Sequence, residues 1–263
     1  MQGEAATDRR LVTVEGADAL TFLQGLVSND VLPLGKGPGI VWAALLTPQG
    51  KYLADFFIVQ PVGGPLLLDL PEAVADATLR RLSMYRLRAD VRLTPATLHV
   101  QRGLTDAPAE AMPDPRHPAL GWRLYGTDAG KTPSIDWDAI RVAHVIPETG
   151  RELLVDDSYI LEAGFERLHG VDFRKGCYVG QEVTARMKHK TDLRKGLARV
   201  RVTGPAAYGD EITADGKPAG TLFTRAGDHA IAYLRLDRAV GPMQAGGATV
   251  ALDHPVEAAI VQP

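Results

Sequence analysis

Apolar residues alternate from Leu11 to Val14, which predicts a strand, and Leu20, Leu23, Leu26 and Val27 then recur at helical spacing through ADALTFLQGLVSND. Polar Ser28, Asn29 and Asp30 close that run, so the order is strand then helix. GIVWAALL and KYLADFFIV flank a Thr-Pro-Gln-Gly turn and predict a long antiparallel hairpin over residues 39–59. PLLLDL predicts a further strand, the pattern from Glu72 to Arg88 is helical, and ADVRL returns as a strand. Residues 105–118, TDAPAEAMPDPRHP, hold four prolines and almost no periodicity, which marks a surface loop or a boundary between subdomains.

A second unit follows. In PSIDWDAIRVAHV, Ser134 is the expected N-cap of a helix with Trp137, Ile140 and His144 on one face. IPETGREL reads as a turn. Beyond Gly196 come short strands with turn signals: LARVRV, DEITADGKPAGTLF folded at an Asp-Gly turn, HAIAYLRL, ATVAL and VEAAIV. Residues 196–263 are therefore expected to form a small β-barrel. The expected class is α+β, in three parts: an α+β subdomain over 1–104, a second over 105–195 interlocked with the first, and the barrel. No internal repeat or low-complexity tract is visible.

With 263 residues, 45% of them hydrophobic, the chain can bury a large core. Charged residues make up 23% and the formal net charge is −3, so no global basic field exists to hold long nucleic acid. The local basic run RMKHKTDLRK, residues 186–195, lacks interleaved aromatics and reads as a solvated face, so direct nucleic-acid binding is not expected. The N-terminal stretch has no apolar core behind a basic head, and no window is apolar enough to span a bilayer, which predicts a soluble, unsecreted protein without a membrane partner. A single cysteine can form no internal disulfide, fits a reducing compartment, and cannot ligate an iron–sulfur cluster alone.

That cysteine lies in FRKGCYVGQEVTARMKHK, residues 173–190. Gly176 and Gly180 bracket Cys177, and a helix-compatible stretch follows with Glu182 in its first turn and basic residues near its end. A thiol in a loop feeding a helix N-terminus beside Lys175 is a candidate reactive thiolate; the competing reading is a small buried residue. A cysteine hydrolase would need His169, His189 or His144 as base. His189 is twelve positions on, about 18 Å along a continuous helix, too far for a hydrogen bond. One cysteine with scattered histidines also lacks zinc-ligand spacing, and no metal site is expected.

KGCYVGQE resembles the signature of the folate-binding YgfZ family, which includes a mitochondrial iron–sulfur assembly factor lineage. The resemblance continues in order through GADALTFLQGLVSNDV, GKYLADFFIV, LSMYRLRADV and RKGLARV, and so covers nearly the whole chain. The family is similar to the aminomethyltransferase (T-protein) of glycine cleavage, which implies a ring of three subdomains around a hole that receives tetrahydrofolate. It also implies a functional role for Cys177 and Lys175, with Tyr178, Gln181 and Glu182 in the matched motif. Trp137, in Trp-x-x-Ile-x-Val, matches a folate-contacting tryptophan, and an indole face suits a flat pterin; it is equally a core anchor. Tyr85 is either a wall of the site or core. Asp55 is a candidate acceptor for the pterin amino group and ring N–H, with Glu162 and Glu148 as weaker candidates that read equally as solvated charges. Arg80, Arg81, Arg86 and Arg88 suit either the glutamate tail of folate or a helix C-terminus.

This chain also departs from the pattern. It reads Ala54-Asp55 where T-protein has an Asp-Asp pair, Val145 stands where the family usually has glycine, and an N-terminal tryptophan of some members is replaced near Arg9. What the resemblance implies is a folate-binding accessory protein for iron–sulfur cluster assembly or repair, acting indirectly on tRNA-modifying iron–sulfur enzymes. It is expected to be monomeric, and cytoplasmic or, in a eukaryote, in the mitochondrial matrix, with assembly or client proteins as partners. The alternative is a folate-dependent aminomethyl transferase.

Overall fold

The computed structural model describes residues 2–189 and 193–253. They form two compact units, one of residues up to 135 with 154–160 and 165–185, the other of residues 136–153, 161–164 and those from 186 on. Lys190, Thr191 and Asp192 of the basic run and the expected strand VEAAIV lie outside the described residues.

The first unit contains β1 (Glu4–Ala5), β2 (Arg9–Glu15), α1 (Ala19–Gln24), β3 (Gly39–Leu46), β4 (Tyr52–Gln60), β5 (Leu66–Pro71), α2 (Glu72–Arg86), β6 (Arg92–Pro95), β7 (His99–Gly103), β8 (Met112–Pro113) and β9 (Trp122–Gly126). An antiparallel sheet runs β3-β4-β5-β2-β6, and a second runs β1-β7-β9-β8, so strands from both sides of residue 104 share one sheet. β4 is buried along nearly its whole length, as its unbroken apolar run requires of a strand covered on both faces. One face, with Phe56, Ile58, Leu68 and Leu70, packs on Leu23 of α1 and on Ala75 and Leu82 of α2. By the alternation of a strand, the opposite face carries Trp42, Asp55, Phe57 and Asp69.

The expected hairpin over 39–59 is present as β3 and β4. The first helix is shorter than its periodicity suggests: α1 ends at Gln24, while Leu26 and Val27 stay buried. The edge of β3 takes the backbone instead, since Val27 bridges Leu45 and Ser28 N–H donates to Ala44 O at 2.9 Å. Helix α2 stops at Arg86, two residues short of Arg88, where Leu87 turns to φ 44°. The proline-rich stretch is more than a surface loop, because its Asp114 is buried and ion-paired to Arg116 at 2.8 Å.

The second unit contains α3 (Trp137–His144) and a closed six-stranded antiparallel barrel. Its strands are β10 (Lys195–Thr203), β11 (Glu211–Ala214), β12 (Lys217–Ala226), β13 (His229–Arg235), β14 (Met243–Ala245) and β15 (Ala248–Leu252), in the order β10-β13-β12-β11-β14-β15. Asp215 and Gly216 both have positive φ, the geometry that an Asp-Gly hairpin turn favours. The N-cap of α3 is Asp136, whose Oδ1 accepts from Ala139 N–H at 2.9 Å. Ser134 is drawn off instead, its N–H and hydroxyl both donating to Glu4 Oε1 at 2.7 and 2.6 Å. The helix α4 (Gln181–His189) starts in the first unit and ends in the second.

Candidate functional site

The motif KGCYVGQE leads into α4 and packs, within the first unit, on the end of α1 and on the β3–β4 turn. Lys175 Nζ donates to Gln24 O at 2.5 Å, and Gln24 Nε2 donates back to Lys175 O at 3.1 Å. Tyr178 N–H donates to Gln181 Oε1 at 3.2 Å, which ties the loop to the first turn of α4. Gly180 has φ 83°, and a Cβ there would sit 2.5 Å from Thr47 O, so both conformation and contact require glycine. Gly176 faces open space and is needed only for its φ of 94°.

Cys177 is exposed, so the structure places it on the surface and not among the small buried residues. Tyr178 behind it is buried, and Lys175 Nζ lies 4.8 Å from the centre of the Tyr178 ring. Burial lowers the Lys175 amine to about 8, against the opposing pull of Asp30, Asp172 and Cys177. Burial pushes the Tyr178 hydroxyl up, partly offset by its hydrogen bond with the Thr184 side chain. Gln181 is half-buried and Glu182 exposed. The loop thus presents a thiol at its crest with an amine of lowered basicity beside it. Among the described residues no hydrogen bond joins Cys177 to a histidine, and no three His, Cys, Asp or Glu side chains gather as a metal group.

Asp55 sits on the other side of the hairpin, buried on the second sheet face. Trp42 Nε1 donates to its Oδ2 and the Tyr52 hydroxyl to its Oδ1, each at 2.7 Å. Trp42 stacks on Phe165 with ring centroids 4.1 Å apart. Tyr85 is half-buried against the core under α2. Trp137 and Glu162 belong to the second unit. Trp137 opens α3 and is 9% exposed, while Glu162 Oε2 accepts from the Tyr233 hydroxyl of β13 at 2.5 Å. Glu148 is taken by Arg141 at 3.4 Å and Arg151 at 3.5 Å. Cys177, Lys175, Tyr178, Gln181 and Glu182 therefore come together in one loop and helix start, while Asp55 stands in a separate environment in the same unit.

Two buried charge networks have no counterpart in the sequence reading. In the first unit Asp69, fully buried, accepts from Arg9 at 2.6 Å, Arg123 at 2.7 Å and the Tyr125 hydroxyl at 2.9 Å. The guanidinium groups of Arg9, Arg116 and Arg123 all lie over Phe57. Burial alone would raise the Asp69 carboxyl, but Arg9 and Arg123 outweigh it and hold it below the usual range. In the second unit Arg141 bonds Glu152 at 2.9 Å, Asp138 at 3.0 Å and Thr224 at 3.2 Å, joining α3 to β12. The available signal was an aspartate inside the wholly apolar run PLLLDL, since a charge in a strand buried on both faces must find partners.

Residues 194–259 match the family described as CAF17, C-terminal beta-barrel domain. The chain is 32% identical to the mouse protein named iron-sulfur cluster assembly factor IBA57, mitochondrial, over 89% of this chain and 78% of that one. The human protein of the same name is 31% identical over 93% and 81%. A Mycosarcoma maydis homologue is 35% identical over 71% of this chain, which spans only 54% of that relative's length. In fold the chain is similar to glycine cleavage system aminomethyltransferase T from Bartonella henselae, with a TM-score of 0.72 over 95% of this chain and 84% of that one, at 12% identity.

Proposed function

The chain belongs to the IBA57 iron–sulfur cluster assembly factor family, and on that premise we propose that it is a folate-binding accessory protein supporting iron–sulfur cluster assembly or repair. The observation that carries the reading is Cys177, exposed beside Lys175, whose amine burial makes less basic, on a loop held by α1 and the hairpin turn. A lone accessible thiol suits a protein that meets a cluster or a thiol partner transiently, because storing a cluster takes about four ligands. Its partners are assembly or client proteins, including tRNA-modifying iron–sulfur enzymes reached indirectly. The working form is a monomer, in the mitochondrial matrix in a eukaryotic cell and in the cytoplasm otherwise.

Tetrahydrofolate is a carrier of one-carbon units, and the residues present suit its pterin chemically. Asp55 is held purely as an acceptor by two donors, and a carboxylate has about four acceptor sites for groups such as the pterin amino and ring N–H. In the first unit Tyr178, Gln181 and Glu182 would hold the thiol loop in place, while Tyr85 packs under α2 on the sheet face opposite Asp55 and so serves the core; in the second unit Trp137 would offer a flat face and Glu162 a further acceptor. Aminomethyl transfer finds less support, since only Asp55 remains of the Asp pair and KGCYVGQE stands in place of the transferase sequence.

Calorimetric titration with tetrahydrofolate tests the reading. Micromolar binding is expected for the wild type and for Cys177→Ala, with affinity about tenfold lower in Trp137→Ala. In cells lacking the gene, Cys177→Ala is expected not to restore iron–sulfur enzyme activity. Absence of binding by the wild type would sink the folate part, and full rescue by Cys177→Ala would sink the role of the thiol.

A further inference from the structure

The C-terminal end of α2 combines cations and apolar groups in a way that the fold itself does not use. Arg80, Arg81, Arg86 and Arg88 fall within nine positions. Arg86 Nη1 donates to Val91 O at 3.3 Å and so closes the helix end. Among the described residues Arg81 and Arg88 form no ion pair, and Arg80 exerts only a weak pull on Asp76, which is already bound to Arg10. Between them Met84 is 68% exposed and Leu87 is 89% exposed. Leu87 also adopts φ 44° and ψ −103°, outside the regions that L-residues favour.

The helix dipole accounts for cations in the last turn. It does not account for two aliphatic side chains three positions apart standing in water, one of them on a strained backbone. Such strain persists where the surroundings use it, and at 89% exposure Leu87 gains little from packing against the described residues. The side-chain chemistry points to a protein surface. Arg and Met are enriched in protein–protein interfaces and Lys is depleted, and this patch has four arginines and no lysine. A guanidinium fork also matches a carboxylate in two-point contact. A membrane-adsorbing helix needs a continuous apolar face, which two aliphatic residues do not make. Single-stranded nucleic acid would want exposed aromatics, but Tyr85 packs against the core.

We propose that the Arg80–Arg88 end of α2 is the docking surface for an acidic protein partner, one that sets carboxylates against Arg80, Arg81 and Arg88 and aliphatic side chains against Met84 and Leu87. The surface lies wholly in the first unit, and its role does not depend on folate binding.

The test uses the full chain and a fluorescent, helix-forming peptide in which glutamates flank two leucines spaced three apart, with the same peptide carrying glutamine for glutamate as control. Phosphatidylserine-containing vesicles and a single-stranded oligonucleotide are run beside it. The expected result is saturable binding of the glutamate peptide at low salt. Affinity should fall about tenfold in Arg81→Glu/Arg88→Glu and with the glutamine peptide, and by a smaller factor in Leu87→Gly. A charge reversal on the barrel, Lys217→Glu, should leave it unchanged. Unaltered thermal unfolding of the variants separates lost docking from lost folding. Preferential binding of vesicles or oligonucleotide, no binding of the glutamate peptide, or equal affinity in Arg81→Glu/Arg88→Glu would each overturn the proposal.

Discussion

Trp42 and Asp55 lie diagonally across the β3–β4 hairpin, and the indole Nε1 donates to the carboxylate at 2.7 Å. With Tyr52 holding the other oxygen, the carboxylate has a set orientation on the second sheet face. Trp42 is itself held by stacking on Phe165. The aspartate that the family pattern singles out is thus positioned by aromatic side chains that the pattern did not mention.

Trp42→Phe keeps an aromatic ring on Phe165 but removes the donor to a buried carboxylate. Stability is expected to fall by about 1–3 kcal/mol. Urea unfolding with an unchanged m-value and a lower midpoint would report it. Tyr52→Phe should cost a similar amount, and the double variant should depart from additivity because both act on one acceptor.

Asp69→Asn would leave Arg9 and Arg123 buried with weakened compensation, and the expected loss is about 3–5 kcal/mol. The same pairing makes the wild type acid-sensitive. Because the folded-state value of Asp69 is depressed, its stabilisation is complete above the ordinary aspartate value and is lost as pH falls below it. Chemical unfolding followed from neutral pH down into that range should show the wild type converging on Asp69→Asn.

Val145 closes α3 in the left-handed conformation, at φ 51° and ψ 52°. This is a helix C-terminal position at which glycine is normal and a β-branched side chain is costly. Val145→Gly is expected to raise stability by roughly 0.5–1 kcal/mol, the relief of the strained conformation less the added freedom of glycine in the unfolded chain. A higher thermal midpoint would support this, and a lower one would mean that the valine side chain is packed more firmly than its half-buried state suggests.

Lys175 has its amine lowered from 10.5 to about 8. Acylation of this residue should therefore rise with pH through a midpoint near 8, well below that of an unperturbed lysine. Peptide mass spectrometry after brief acetylation across a pH series measures it. A midpoint near 10.5 would mean that the loop leaves the amine solvated.

Much of the architecture was legible in the chain because it is local. The Pro-Gln-Gly turn between two apolar runs, the Asp215–Gly216 turn and the period of α2 act over a few residues, where backbone preference and side-chain alternation leave little choice. The motif around Cys177 was legible because it is one contiguous stretch, and the positive φ of Gly176 and Gly180 is a local requirement; the contact of Gly180 with Thr47 was not legible. Nor were other contacts between residues far apart in sequence. The early end of α1 follows from the free edge of β3 competing for Val27 and Ser28. Asp69 and Arg123 are 54 positions apart, and Trp42 reaches Asp55 only once the hairpin register is set. Ser134 lost its capping role to Glu4, 130 positions away. A charge or a cap in a sequence shows that a partner is needed, but which partner answers depends on which strands have paired, and that only the tertiary structure decides.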